Sequence, residues 1–244
     1  PTGYLIFSGG KPMKSILLAG RDCPLSVPEG KIPPGGFSLM LSNDGDMPAA
    51  DFEAIFAHIK QQNCVFLAVP PMDRDREYTP WPAPALSQKA PAFSGQGGDY
   101  LQFLTKTLLP EARKALPVTA DPARTTLVGY SLGGLHALWS ATQCGAFGQI
   151  GCLSGSLWYD GAAEYFRSHP LNPAVRRVYL SLGTAEEKAR NPRMARVGDC
   201  TREIHQLLKG HGVSCTLEWN PGGHFREIPE RFLRAIDWLC GQSF

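Results

Sequence analysis

Apolar residues along this chain recur with two periods. Short runs at 37–41, 64–69, 125–128, 149–153, 177–182 and 215–219 are rich in branched and aromatic residues, the pattern of strands, several of them buried on both faces. Between them, apolar residues fall at helical spacing over 49–61, over 99–116, from Leu135 onward, over 201–210, and at Ile228, Phe232, Ala235, Ile236 and Leu239. Pro110 predicts a kink or a restart within the second of these. Strands alternating with helices predict a mostly parallel central sheet with helices on both faces. Tyr4-Leu5-Ile6-Phe7 and Ile16-Leu17-Leu18 predict an antiparallel hairpin at one edge. No repeat and no second domain is visible, so residues 1–244 read as a single α/β domain.

The most informative junction lies where the run at 125–128 meets the helical pattern at Leu135. Gly129-Tyr130-Ser131-Leu132-Gly133 occupies it, and strand–turn–helix is the context in which Gly-x-Ser-x-Gly forms a nucleophile elbow. Glycines two residues to either side of the serine predict a turn too tight for a Cβ, and Gly134 adds a third small residue there. A nucleophilic serine needs a base. Of six histidines, His58, His136, His169, His205 and His211 fall on helices or helix ends, His136 pointing away from the Ser131 hydroxyl. His224 instead follows the last strand in the loop Asn220-Pro221-Gly222-Gly223, where its imidazole can reach the carboxyl edge of the sheet. With the nucleophile first and the base last, the acid is sought between them. Glu186 and then Glu187 follow the strand at 177–182 directly; Asp199 is a third choice, reading equally well as the N-cap of a 201–210 helix. A Ser–His dyad stays open. The backbone N–H groups of Leu132 and of Asp44 (or Asn43), in the loop after the strand at 37–41, are the candidate oxyanion donors, although Asn-Asp-Gly is also a common plain turn.

One stretch has no period. Residues 70–98 hold six prolines and three glycines, and follow a strand's carboxyl end, where open α/β sheets bind ligands. Arg74, Arg76, Tyr78 and Trp81 in this loop over the site, with Trp158 further on, are candidate contacts for an aromatic, anionic substrate; the alternative is a proline-stiffened loop whose charges pair among themselves. Charge and cysteines narrow the class. A net charge of +2 over 244 residues gives no reason to expect nucleic acid or a membrane surface as partner, and no apolar run approaches the roughly 20 residues of a membrane-spanning helix. The seven cysteines have no metal-ligand spacing and three lie in predicted strands, which suggests buried thiols and a reducing, cytoplasmic setting. The start shows no signal-peptide pattern; since it does not begin with Met, a processed periplasmic form is the alternative. No metal or organic cofactor is expected.

Several stretches together resemble a known family: Leu41-Ser42-Asn43-Asp44-Gly45, Asp73-Arg74-Asp75-Arg76-Glu77-Tyr78-Thr79-Pro80-Trp81, Gly129-Tyr130-Ser131-Leu132-Gly133-Gly134, Leu153-Ser154-Gly155-Ser156-Leu157-Trp158 and Gly222-Gly223-His224. In this order they resemble the esterase D-like branch of the α/β-hydrolases, most of all the bacterial esterases that open enterobactin- or bacillibactin-type siderophore trilactones. That resemblance implies an α/β-hydrolase fold, a catalytic Ser131 and His224, and hydrolysis of a small-molecule ester by a monomer or small homo-oligomer. Feruloyl, acetyl-sugar or S-acyl thioester substrates are the alternatives within the class, and a non-catalytic binding protein on the same scaffold is the alternative outside it.

Overall fold

A computed structural model describes residues 2–5 and 13–241. Among the described residues nine strands form one sheet: β1 (Thr2–Leu5), β2 (Met13–Leu18), β3 (Arg21–Ser26), β4 (Ser38–Ser42), β5 (Cys64–Ala68), β6 (Thr125–Tyr130), β7 (Gln149–Leu153), β8 (Arg177–Gly183) and β9 (Ser214–Asn220). Their spatial order is β1-β2-β3-β5-β4-β6-β7-β8-β9. From β5 to β9 every neighbouring pair is parallel, whereas β1, β2 and β3 run antiparallel and β3 joins β5 antiparallel. The edge hairpin is present, with Thr2 opposite Ile16 and Leu5 opposite Met13; Ile6 and Phe7 lie outside the described residues.

The parallel strands alternate between two apolar layers. Leu39, Leu41, Val65, Leu67, Leu127 and Ile150 point to one layer, where they meet Leu104 and Leu108, Leu135 and Leu138, and Ile204 and Leu208. Met40, Phe66, Val128 and Tyr179 point the other way, onto Phe52, Ile55 and Ile59 of the helix Ala49–Ile59 and Phe232, Ala235, Ile236 and Leu239 of the helix Ile228–Cys240. Cover on both faces explains why β5 and β6 read as continuous apolar runs and are buried throughout. This is the α/β-hydrolase architecture.

Four readings of the sequence need correction. β3 was not foreseen, because Pro24 and its charged start obscure it; Pro24 sits where the strand changes neighbours, opposite Ser15 of β2 just before Leu25 and Ser26 pair with β5. The chain does not restart at Pro110. It stays helical through Gly97–Gln102 and Leu109–Ala115 by widening into a π-helical turn at Phe103–Leu108, which absorbs the missing proline N–H. The helix expected at 201–210 begins at Val197, so Asp199 lies inside its first turn, not at its cap. The segment at 70–98 is far from structureless. Asp73 caps a short helix, Arg74–Glu77, Ala83 and Phe93 exchange main-chain bonds, and Gly97 N–H donates to Thr79 O at 2.8 Å.

Candidate active site

The turn after β6 is held open by close backbone packing. Ser131 has φ 59° and ψ −122°, a conformation that costs free energy for a residue with a side chain. The main chain around it supplies the restraint: Ser131 N–H donates to Leu153 O at 3.0 Å and Ser131 O accepts from Ser156 N–H at 2.9 Å. A Cβ on Gly129 would lie 2.3 Å from the Gly133 carbonyl, so the helix Leu132–Gln143 can cross the strand this closely only over glycine. The Asp44 carboxylate secures the elbow from beneath, accepting from Tyr130 N–H at 2.6 Å and from Arg74 Nη2 at 2.9 Å. Burial, the largest influence, raises the Asp44 pKa against the opposing pull of Arg74 and the Tyr130 amide.

Three side chains from three loops meet above this turn. His224 Nε2 lies 3.0 Å from Ser131 Oγ, and His224 Nδ1 lies 2.7 Å from Glu186 Oε2. A carboxylate only accepts, so the Nδ1–H donates to Glu186 and Nε2 is left to accept from the serine hydroxyl. Glu186 occupies a single 3-10 turn directly after β8, only 8% exposed. Its second oxygen, Oε1, accepts from Gly183 N–H at 2.7 Å and from Arg231 Nη1 at 2.8 Å. Burial alone would raise the Glu186 pKa; the bond and charge of His224, the Gly183 amide and Arg231 outweigh it, and the net shift is downward. Arg231, from the last helix and fully buried, also donates to Tyr130 Oη at 3.0 Å, to Ser154 Oγ and to Gly223 O at 2.7 Å. Tyr130 Oη in turn donates to His224 O at 2.5 Å, so one guanidinium ties the acid, the elbow and the histidine loop together.

The other candidates separate cleanly by position. Glu187 and Asp199 both pair with Arg202, at 2.9 and 2.8 Å, away from the histidine. His58 pairs with Asp237, His169 stacks on Tyr165 at the surface, and His136 is buried on the elbow helix itself, its ring bonded to Asn43 Nδ2 and Gly97 O. Leu132 opens the helix, so its N–H has no partner within it. The Asp44 N–H makes a long 3.3 Å bond to Ser42 Oγ.

A chamber of about 670 Å³ opens over Ser131 and His224. Among the predicted substrate contacts it is lined by Arg74 and Trp158, while Arg76, Tyr78 and Trp81 do not reach it. Arg76 faces a separate cleft with Arg21 and Phe103. Tyr78 is buried against Tyr100 and His136, and Trp81 turns its indole N–H to Asp160 O at 2.8 Å and packs on Tyr159 and Tyr165. Arg74 itself is engaged by Asp44 and, at 2.8 Å, by Asp46. Sequence reasoning overlooked Ser156, whose Oγ is 3.2 Å from Ser131 Oγ, and Arg231, whose place on the apolar stripe of the last helix was the available signal. Among the described residues no three of His, Cys, Asp or Glu are placed to hold a metal ion, and no helix is long and apolar enough to cross a membrane.

Known proteins resemble this chain in sequence and fold. An uncharacterized protein of Bacillus subtilis (strain 168), YbbA, is 31% identical over 219 residues, 86% of this chain and 88% of its own. An iron(III) enterobactin esterase of Dickeya dadantii (strain 3937) is 30% identical over 129 residues, 48% of this chain and 29% of its own. The crystal structure of an IroE-like serine hydrolase from Shewanella oneidensis shares the fold, with a TM-score of 0.72 at 18% identity over 88% of this chain and 73% of that one. A family model described as "Putative esterase" matches residues 46–229, from the loop beside the elbow to the start of the last helix, and the chain belongs to that esterase family.

Proposed function

We propose that this esterase is a serine hydrolase acting through an acyl-enzyme, within a single domain. Ser131 Oγ attacks the ester carbonyl as His224 Nε2 takes its proton; the bond to the alcohol then breaks, and the same proton passes to the departing oxygen. Water repeats the sequence in reverse, giving its proton to His224 and its hydroxyl to the acyl group, and Ser131 leaves reprotonated. Glu186 keeps the imidazole in the reactive tautomer and stabilises its charged form. The N–H groups of Leu132 and Asp44 receive the oxyanion. The observation that carries this reading is the continuous bond chain from Ser131 through His224 to Glu186, at 3.0 and 2.7 Å, at the foot of an open chamber. For the substrate, the partial similarity to an enterobactin esterase supports a siderophore-type trilactone or a related aromatic ester. The seven free thiols support a cytoplasmic setting.

The test is hydrolysis of a short p-nitrophenyl ester beside an enterobactin-type trilactone by wild type and Ser131→Ala. The variant should lose at least ~10³-fold in kcat/KM on both. Residual turnover near wild type, or failure of a fluorophosphonate probe to label Ser131 in the wild type, would move the chain to a binding role.

A further inference from the structure

The chamber lining is largely apolar and carries five carboxylates. Leu86, Phe93, Trp158, Met194 and Val197 are among the apolar residues, with the Phe93 and Trp158 rings 6.4 Å apart. Asp44, Asp46, Asp51, Asp75 and Glu186 are the carboxylates. Only Arg74 and Lys188 among the described lining residues carry permanent positive charge against these five carboxylates. Resting on the serine-hydrolase reading, we infer that the substrate is an ester without anionic groups (for a trilactone, the iron-free form and not the ferric complex), its apolar part seated against Leu86, Phe93, Trp158, Met194 and Val197.

Arg74 decides the matter. Its guanidinium is held by Asp44 Oδ1 at 2.9 Å and Asp46 Oδ1 at 2.8 Å, over the Tyr78 ring. Asp44 is 1% exposed and has no other cationic partner among the described residues. Drawing Arg74 onto a substrate anion would leave a buried carboxylate unpaired, which is among the costlier changes a folded chain can undergo. The arginine is therefore spent on the elbow and is not free to bind. Glu186 is likewise balanced from behind by Arg231. Asp51 and Asp75 have no cationic partner among the described residues, and the apolar lining of the chamber concentrates their field. Lys188, exposed on a flexible stem, is a weak counterweight.

The experiment compares three p-nitrophenyl esters with one leaving group: the neutral hexanoate, the anionic monoadipate and the cationic 6-(trimethylammonio)hexanoate. At low salt, kcat/KM for the neutral ester should exceed that for the anionic one by about tenfold or more, the cationic ester should also outrun the anionic one, and added salt to ~0.5 M should narrow both gaps. The double variant Asp51→Asn, Asp75→Asn should narrow the neutral-to-anionic ratio several-fold; both residues are at the surface, and the ratio cancels any change in the amount of folded enzyme. An anionic ester turned over as well as the neutral one, or a ratio unmoved by the double variant, overturns the inference while leaving the hydrolase intact. Loss of turnover on all three esters with no labelling of Ser131 overturns the hydrolase reading and this inference together.

Discussion

Arg231 shows what the Glu186 carboxylate needs from its surroundings. Glu186 is 8% exposed, and a carboxylate so placed would take up a proton unless its charge were met. Arg231 meets it at 2.8 Å, and its other bonds, to Tyr130, Ser154 and Gly223, offset the one nitrogen, Nε, that has no partner. Removing one member of such a buried pair strands the other. Arg231→Met should therefore lower the unfolding free energy by ~3–5 kcal/mol, read from urea denaturation, and take activity with it. Glu186→Gln separates the two effects: it keeps the volume and turns the imidazole, so kcat should fall by ~10³–10⁴-fold while the protein stays folded. A Glu186→Gln variant with near-normal kcat would reduce the triad to a dyad. Arg231 was legible in principle. It follows Ile228 by three and precedes Ala235 by four, on the stripe that buries Phe232 and Leu239, and a charge on such a stripe calls for a buried partner.

At the scale of elements, the parts that could be read were those decided locally. The elbow is one: a serine at φ 59° between Gly129, which a Cβ would drive into backbone, and Gly133, where a Cβ would press on the Asp44 carboxylate. Gly129→Ala should destabilise the fold by ~1–3 kcal/mol or more, because the atoms 2.3 Å from the new methyl are the Gly133 main-chain carbonyl, which no side-chain rotation can clear. Gly98→Ala is the contrast, with nothing within 4 Å, and should be neutral or stabilising by ~0.4–1 kcal/mol. Thermal melts of the two variants would show the opposition, and equal shifts would refute the packing argument. The unread elements depend on distant partners. β3 carries a proline that only its change of neighbour from β2 to β5 accommodates. In the segment 70–98, Trp81 is turned from the chamber by Asp160 O, a partner that lies far outside the segment, and Phe93 toward it by a bridge to Ala83 that spans ten residues without a strand pattern. The aromatic and charged residues there could be listed from sequence, but which faced the substrate could not.

For the molecule as a whole, His136 ties three regions that the reaction requires to stay in register. Its Nε2–H donates to Gly97 O at 3.2 Å at the end of the 70–98 segment, and its Nδ1 accepts from Asn43 Nδ2 at 3.3 Å in the loop beside the elbow. Asn43 also donates to Gly133 O at 2.8 Å, so the pin runs on into the elbow helix. This arrangement holds only the neutral imidazole, because a proton on Nδ1 would face the Asn43 amide hydrogens. Burial pushes the His136 pKa down to about 4 from an ordinary 6.5, and the Gly97 carbonyl recovers little of that. The sign follows from proton uptake. A histidine with a depressed folded pKa contributes fully above pH 6.5, where both states are neutral, and the contribution drains away as pH falls toward 4, since the unfolded chain binds the proton first. Between pH 7 and pH 5 this amounts to about 2 kcal/mol of lost stability from one residue. Urea unfolding at the two pH values should show that loss in the wild type and a smaller one in His136→Gln, which is less stable at pH 7 but has no proton to take up. An unchanged slope in the variant would place the acid sensitivity elsewhere, with the carboxylates whose pKa values lie lower. A slope that disappears would make His136 the group that sets the acid limit of the fold, well above the pH at which Glu186 itself, depressed below the usual carboxylate range, would lose its charge.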